Sequence, residues 1–156
     1  MSPAPEDATP DRLRAIPSRL LAGAAAAADR LVSDRLAAEG ARKWHFAVLV
    51  ALAESGPASQ SELSGRTGVY RSDLVAVLNE LADAGFVVRD PDPADRRRNV
   101  VTLTPAGRAR LRRLDDLVTA AQRDLLAPLT SRQQSELTDL LVLLTTHHRP
   151  PHETDR

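Results

Sequence analysis

A mainly α-helical chain with a small β-wing, arranged as a winged helix-turn-helix between long terminal helices, is the fold class that three features of this sequence predict. A short capped helix is followed, after a glycine, by a longer amphipathic one over residues 60–84. Two strand-like runs then flank a turn-rich loop tipped with three arginines. Leucine- and alanine-rich stretches with helical periodicity lie on both sides. Aromatics are only 3% of the 156 residues, and the apolar content is Leu, Ala and Val, which suits helix packing better than a β-sandwich.

Residues 1–10 are rich in proline and acid without apolar periodicity and read as a disordered tail. Leu13, Ile16, Leu20, Leu21, Ala24, Ala28 and Leu31 mark one long helix over 11–40, capped by Gly40. Pro17 either kinks it or stands in its true first turn. A second helix, about 43–54, carries Phe46, Val48, Leu49 and Leu52. Ser59 and Glu62 form a capping box that opens a third helix, ended by Gly68. In the next, about 71–84, Leu74, Val77, Leu78 and Leu81 share one face and Gly85 stops the helix. Strands are expected at 86–89 and 99–103, joined by the proline- and aspartate-rich loop 90–98. Thr104-Pro105 starts a long helix whose stripe runs from Leu111 to Leu125. Thr130 and Gln133 box the last one, with Leu137, Leu140, Leu141 and Leu144. Residues 149–156 read as a second disordered tail.

The chain has no cysteine, which excludes disulfides, thiolate metal sites and cysteine-based peroxide sensing. No apolar run approaches the ~18 residues of a membrane span. The N-terminus lacks the basic start and apolar core of a signal peptide, so a cytoplasmic, nucleoid-associated location is expected. His45, His147, His148 and His152 are the only histidines, and no HExxH, GxSxG or P-loop pattern occurs. Those absences argue against an enzyme, a cofactor and a metal site. His147, His148 and His152 could take up adventitious metal, but a tail is a poor preorganised site.

Net charge is zero, yet its distribution is uneven. Residues 59–113 hold ten arginines against seven acids, whereas 114–156 hold four against seven. Seven arginines and no acid occupy 96–113. Arg108, Arg110, Arg112 and Arg113 alone could be a solvated helix face. Three consecutive arginines at a hairpin tip instead repel one another unless a polyanion is near, and that favours nucleic acid.

The residues Gly85-Phe86-Val87 with Arg89, then Asp95-Arg96-Arg97-Arg98-Asn99, then Leu103-Thr104-Pro105-Ala106-Gly107 resemble the wing signature of the MarR family of bacterial repressors. Glu62-Leu63, Gly68-Val69 and residues 78–81 also fall where that family places its helix-turn-helix. The resemblance spans about 41–148. It implies a winged helix-turn-helix lobe at 41–107 with N-terminal (11–40) and C-terminal (105–148) dimerisation helices intertwined across a two-fold axis. Apolarity points the same way, because one protomer would leave Leu13, Ile16, Leu20, Leu137, Leu141 and Leu144 in water. A monomer folded back on itself is the alternative.

In a helix-turn-helix the second helix enters the major groove. With its leucine face turned inward, Tyr70, Arg71, Ser72, Asp73, Val75, Ala76 and Asn79 face outward. Arg71 suits guanine and Asn79 adenine. Asp73 would accept from a cytosine amine or brace an arginine. Ser59 and Ser61 suit phosphate contact through hydroxyl and helix dipole. Tyr70 could stack on sugar or donate to phosphate, or simply fill the turn. The resemblance places Arg97 in the adjacent minor groove, which an arginine reads through its shape and potential. It makes Asp95 the brace that holds a nearby arginine, with Arg96 and Arg98 flanking on phosphates.

The expected function is a sequence-specific double-stranded DNA-binding transcriptional regulator, and the resemblance implies a repressor released by a small aromatic or phenolic ligand. Its expected partners are a pseudo-palindromic operator, a second copy of the chain and a small aromatic anion, with no membrane. Arg42, Trp44 and His45 are candidates for that anion: guanidinium for carboxylate, indole for stacking, imidazole for a phenol. Trp44 as core and His45 as an internally satisfied polar group are the plainer readings. The alternative function is a nonspecific architectural DNA binder or a protein-interaction module on the same scaffold, which salt and competitor DNA would distinguish.

Overall fold

The computed structural model describes residues 9–149. The tails at 1–8 and 150–156, His152 among them, lie outside the described residues. Helix α1 is only Asp11–Arg14, and α2 runs Pro17–Ala37. The single helix expected over 11–40 is therefore broken. Pro17 stands in the first turn of α2 and holds Ile16 extended at φ −79°, ψ 115°, because the proline ring disfavours helical geometry in the residue before it. Helix α3 (Lys43–Ser55) is the core element: Val48, Leu49 and Leu52 are buried along it, and Gly56 ends it at φ +75°.

Next comes β1 (Ala58–Ser59), a two-residue strand too short to show alternation in the sequence. It pairs with β3 (Asn99–Leu103), which also pairs with β2 (Val87–Pro91), so the expected hairpin is a three-stranded antiparallel sheet ordered β1-β3-β2. Ala58 lies opposite Val101, and Val87 opposite Leu103. Helices α4 (Gln60–Thr67) and α5 (Arg71–Asp83) form the helix-turn-helix. Leu63 from α4, Leu74, Val77, Leu78 and Leu81 from α5, and Val87 and Val101 from the sheet join α3 in one core. Burial of such side chains contributes roughly 1.5–3 kcal/mol each and is what fixes the lobe.

Helix α6 (Pro105–Leu126) starts as expected, with Thr104 Oγ1 accepting from the Gly107 amide at 3.0 Å. A Cβ on Gly107 would collide with the Phe86 carbonyl oxygen, so this glycine lets α6 press against the start of β2. Helix α7 (Ser131–His147) is opened by the Thr130–Gln133 capping box and buries no residue. Leu140, Leu141, Val142, Leu143 and Leu144 are all exposed, Leu143 to 67%. At the other end Ile16, Leu20 and Leu21 are exposed as well. The apolar surplus read from the sequence is thus present on the protomer. Helices α2 and α6 are braced by Arg35 to Asp124, and just past α2 Glu39 accepts from Arg113 Nη2 at 2.6 Å and Arg110 Nη1 at 3.3 Å. Hydrogen bonding from Arg113 comes first among the causes holding the Glu39 carboxyl below its ordinary range. No helix among the described residues is long and apolar enough to cross a membrane.

Candidate nucleic-acid interface

Ser59 does the work the sequence assigned to a helix cap. Its hydroxyl accepts from the Glu62 amide at 3.3 Å, and its own amide donates to Glu62 Oε2 at 2.7 Å. That amide is the main cause holding the Glu62 carboxyl below the usual range, followed by the Ser59 hydroxyl. Folding therefore favours the ionised form: the contribution is present above the ordinary carboxylate range and fades as pH falls through it. The Ser59 hydroxyl also accepts from Arg98 Nη2 at 3.1 Å, and the residue is only 7% exposed. A hydroxyl turned inward to cap α4 is not presented to phosphate. Ser61, one residue into the helix, is exposed and accepts from Arg71 Nη2 at 2.9 Å.

The turn between α4 and α5 is tied by Gly68 at φ +71°, by Ser64 Oγ donating to the Val69 carbonyl and by Thr67 Oγ1 donating to the Leu63 carbonyl. It leaves Tyr70, the N-cap residue of α5, 80% exposed. Arg71, Ser72, Asp73, Val75, Ala76 and Asn79 are exposed along the same helix, while its leucine face is buried. The Asp73 carboxylate meets no arginine among the described residues. Asn79 Oδ1 accepts from Arg89 Nη2 on β2 at 2.8 Å, a bridge from recognition helix to wing that local pattern could not disclose.

At the wing tip, Arg96 and Arg97 are exposed, and their guanidinium groups have no partner among the described residues. Asp95 braces the loop differently from the expectation. Its Oδ1 accepts from the Arg97 main-chain amide at 3.0 Å, and its carbonyl accepts from the Arg98 amide at 2.9 Å. An aspartate two residues before an amide closes a local turn more readily than it catches a long flexible guanidinium. The consequence is useful: Asp95 shapes the loop while leaving the Arg97 charge free.

Further along α5, Glu80 receives two side chains from the start of α3. Arg42 Nη2 and His45 Nε2 each lie 2.5 Å from Glu80 Oε2. The Arg42 amide donates to His45 Nδ1 at 2.9 Å, which leaves Nε2 as the proton-bearing atom that donates to Glu80. Hydrogen bonding from Arg42, then His45, holds the Glu80 carboxyl below its ordinary range. Trp44 packs against the core with Lys43 Nζ 5.1 Å from its ring. A cavity of about 230 Å³ lies alongside, lined by His45, Leu49, Glu80, Phe86, Arg110 and Leu114 among others. Of the three residues named for a ligand, only His45 lines it. Its cation is Arg110, whose guanidinium lies 5.4 Å from the Phe86 ring centre and also donates to the Glu39 carbonyl.

Two comparisons decide the family. The family model described as MarR family matches residues 40–98. An HTH-type transcriptional repressor of Mycobacterium tuberculosis is 36% identical over 110 residues, 70% of this chain and 79% of that one. The chain belongs to the MarR family. Another relative, the putative transcriptional regulatory protein for the hcr operon of Thauera aromatica, is 35% identical over 103 residues. The aligned segment there is 66% of this chain and 62% of the relative. A probable transcriptional regulator of Pseudomonas aeruginosa superposes with TM-score 0.77 at 32% identity, over 85% of this chain and 99% of that one. The M. tuberculosis MarR family protein solved with DNA superposes at 0.71 with 33% identity, over 83% and 98%. It has also been solved with p-aminosalicylic acid, at TM-score 0.67.

Proposed function

We propose that this MarR-family chain is a homodimeric repressor of transcription that binds a pseudo-palindromic operator and lets go when a small aromatic anion enters the cavity beside α3, α5 and α6. It is a binding protein rather than an enzyme, and it works on the nucleoid in the cytoplasm. The observation that carries the reading is the shared orientation of two exposed polar features on one rigid lobe. The outward face of α5, with Arg71, Ser72 and Asn79, stands beside a wing where Arg96 and Arg97 are unpaired among the described residues and Arg98 is drawn back to Ser59. Major-groove and minor-groove contacts from one lobe need that pairing of helix and wing. The second copy is called for by the exposed leucines of α7 and α2.

For the effector, the cavity supplies a cation in Arg110 and a ring in Phe86, while His45 in its lining has both ring nitrogens engaged, by the Arg42 amide and by Glu80. Its ~230 Å³ falls below the ~300 Å³ at which drug-sized pockets begin, so it suits a single-ring aromatic carboxylate. The related M. tuberculosis protein with p-aminosalicylic acid supports that chemistry. The test is selection of duplexes from a randomised pool, followed by titration with salicylate. A symmetric sequence should be enriched, survive excess competitor DNA and be released by salicylate but not by cyclohexane carboxylate. Enrichment of no sequence, with binding that collapses with salt alone, would make the chain a nonspecific architectural binder.

A further inference from the structure

Asn79 and Arg89 meet where the recognition helix joins the wing. Arg89 Nη2 donates to Asn79 Oδ1 at 2.8 Å. Arg89 is half-buried, and its Nε is enclosed without a hydrogen-bond partner among the described residues. A buried donor left unpaired is costly, so packing rather than hydrogen-bond completeness keeps the guanidinium in this place. An arginine has donors only. The amide of Asn79 must therefore turn its oxygen toward Arg89 and its NH2 the other way. Asn79 itself is exposed on the outward face of α5, and its Nδ2 has no partner among the described residues.

We infer that Arg89 sets the polarity with which Asn79 meets the major groove, and that this makes the position select guanine. The inference rests on the DNA-reading role proposed above. Bidentate recognition of adenine needs the amide to accept from N6 and donate to N7 with the same outward edge. With Oδ1 already held by Arg89, the outward edge is the NH2 donor. Guanine offers two adjacent major-groove acceptors, N7 and O6, whereas adenine places an amine donor beside N7. The adenine contact expected from Asn79 by residue type alone thus gives way to a guanine contact. Arg89 is a positioning residue here: it acts through Asn79 and need not touch a base.

The experiment is enrichment of operators from a randomised pool by the full-length protein and three variants, with melting temperature recorded for each. Wild type should show guanine at one base pair per half-site, and Asn79→Ala should lose that preference alone. Arg89→Met keeps the buried stem but removes the donors. It should lower the guanine-over-adenine ratio at that base pair by about tenfold while leaving other positions unchanged. Asn79→Asp keeps Arg89 as an ionic partner but offers only acceptors outward, so its preference should move from guanine to cytosine. Retained guanine preference in Arg89→Met or Asn79→Asp overturns the inference, as does an equal loss at every position. Should Arg89→Met melt early, Asn79→Asp carries the test alone. If wild type enriches no sequence, the DNA-reading proposal itself fails and this inference falls with it, a result distinct from an unaltered preference in the variants.

Discussion

Arg97→Ala should weaken operator binding by one to two orders of magnitude while leaving melting temperature and oligomeric state unchanged. The side chain is exposed and has no partner among the described residues, so nothing in the fold depends on it. Its main-chain amide is what Asp95 holds, and that bond survives truncation. The loss should be largest on operators with A·T-rich flanks, where a narrow minor groove concentrates negative potential. It should shrink when those flanks are made G·C-rich. Binding measured by fluorescence anisotropy on the two flank types decides this. An equal loss on both would make Arg97 a phosphate contact, and no loss would take the wing tip out of the mechanism.

Leu141→Asp should convert the protein to monomer and abolish tight operator binding together. Leu141 lies in the exposed run of α7, and the same patch contributed by two chains would place the residue at the interface twice. An unpaired carboxylate buried there costs on the order of 3–5 kcal/mol per copy. Light scattering at micromolar concentration checks it: wild type should run at about twice 16.9 kDa and the variant at that mass itself. A wild-type mass near 16.9 kDa would remove the dimer from the account, as would a Leu141→Asp protein that stays dimeric.

Local chemistry made most of the fold legible. The Ser59–Glu62 and Thr130–Gln133 boxes, Gly68 and Gly85, and the Leu74–Leu81 stripe each act over three or four residues, and all appear where the pattern placed them. Pro17 left two readings open because both a kink and a first-turn position satisfy a proline. Strand β1 carries no signal in the sequence because two residues cannot alternate.

The site was less legible, for a different reason. Arg89 to Asn79, Arg98 to Ser59, Arg42 and His45 to Glu80, and Arg110 to Glu39 join residues ten to seventy-one positions apart. Residue type suggested what each side chain could bind, but not that another side chain would reach it first. Arg42, Trp44 and His45 also show the hazard of grouping neighbours on a helix. Positions three apart share a face and Arg42 and His45 do meet one glutamate, whereas Trp44 is turned toward the core.

The account centres on a two-fold dimer whose recognition helices enter successive major grooves on one face of the duplex. Inserting about half a helical turn, roughly 5 bp, between the half-sites of the selected operator tests that claim most directly. The insertion should put the half-sites on opposite faces and reduce binding to the nonspecific level, while an insertion of roughly 10 bp should restore part of it. Undiminished binding after the half-turn insertion would contradict the symmetric docking on which the account depends.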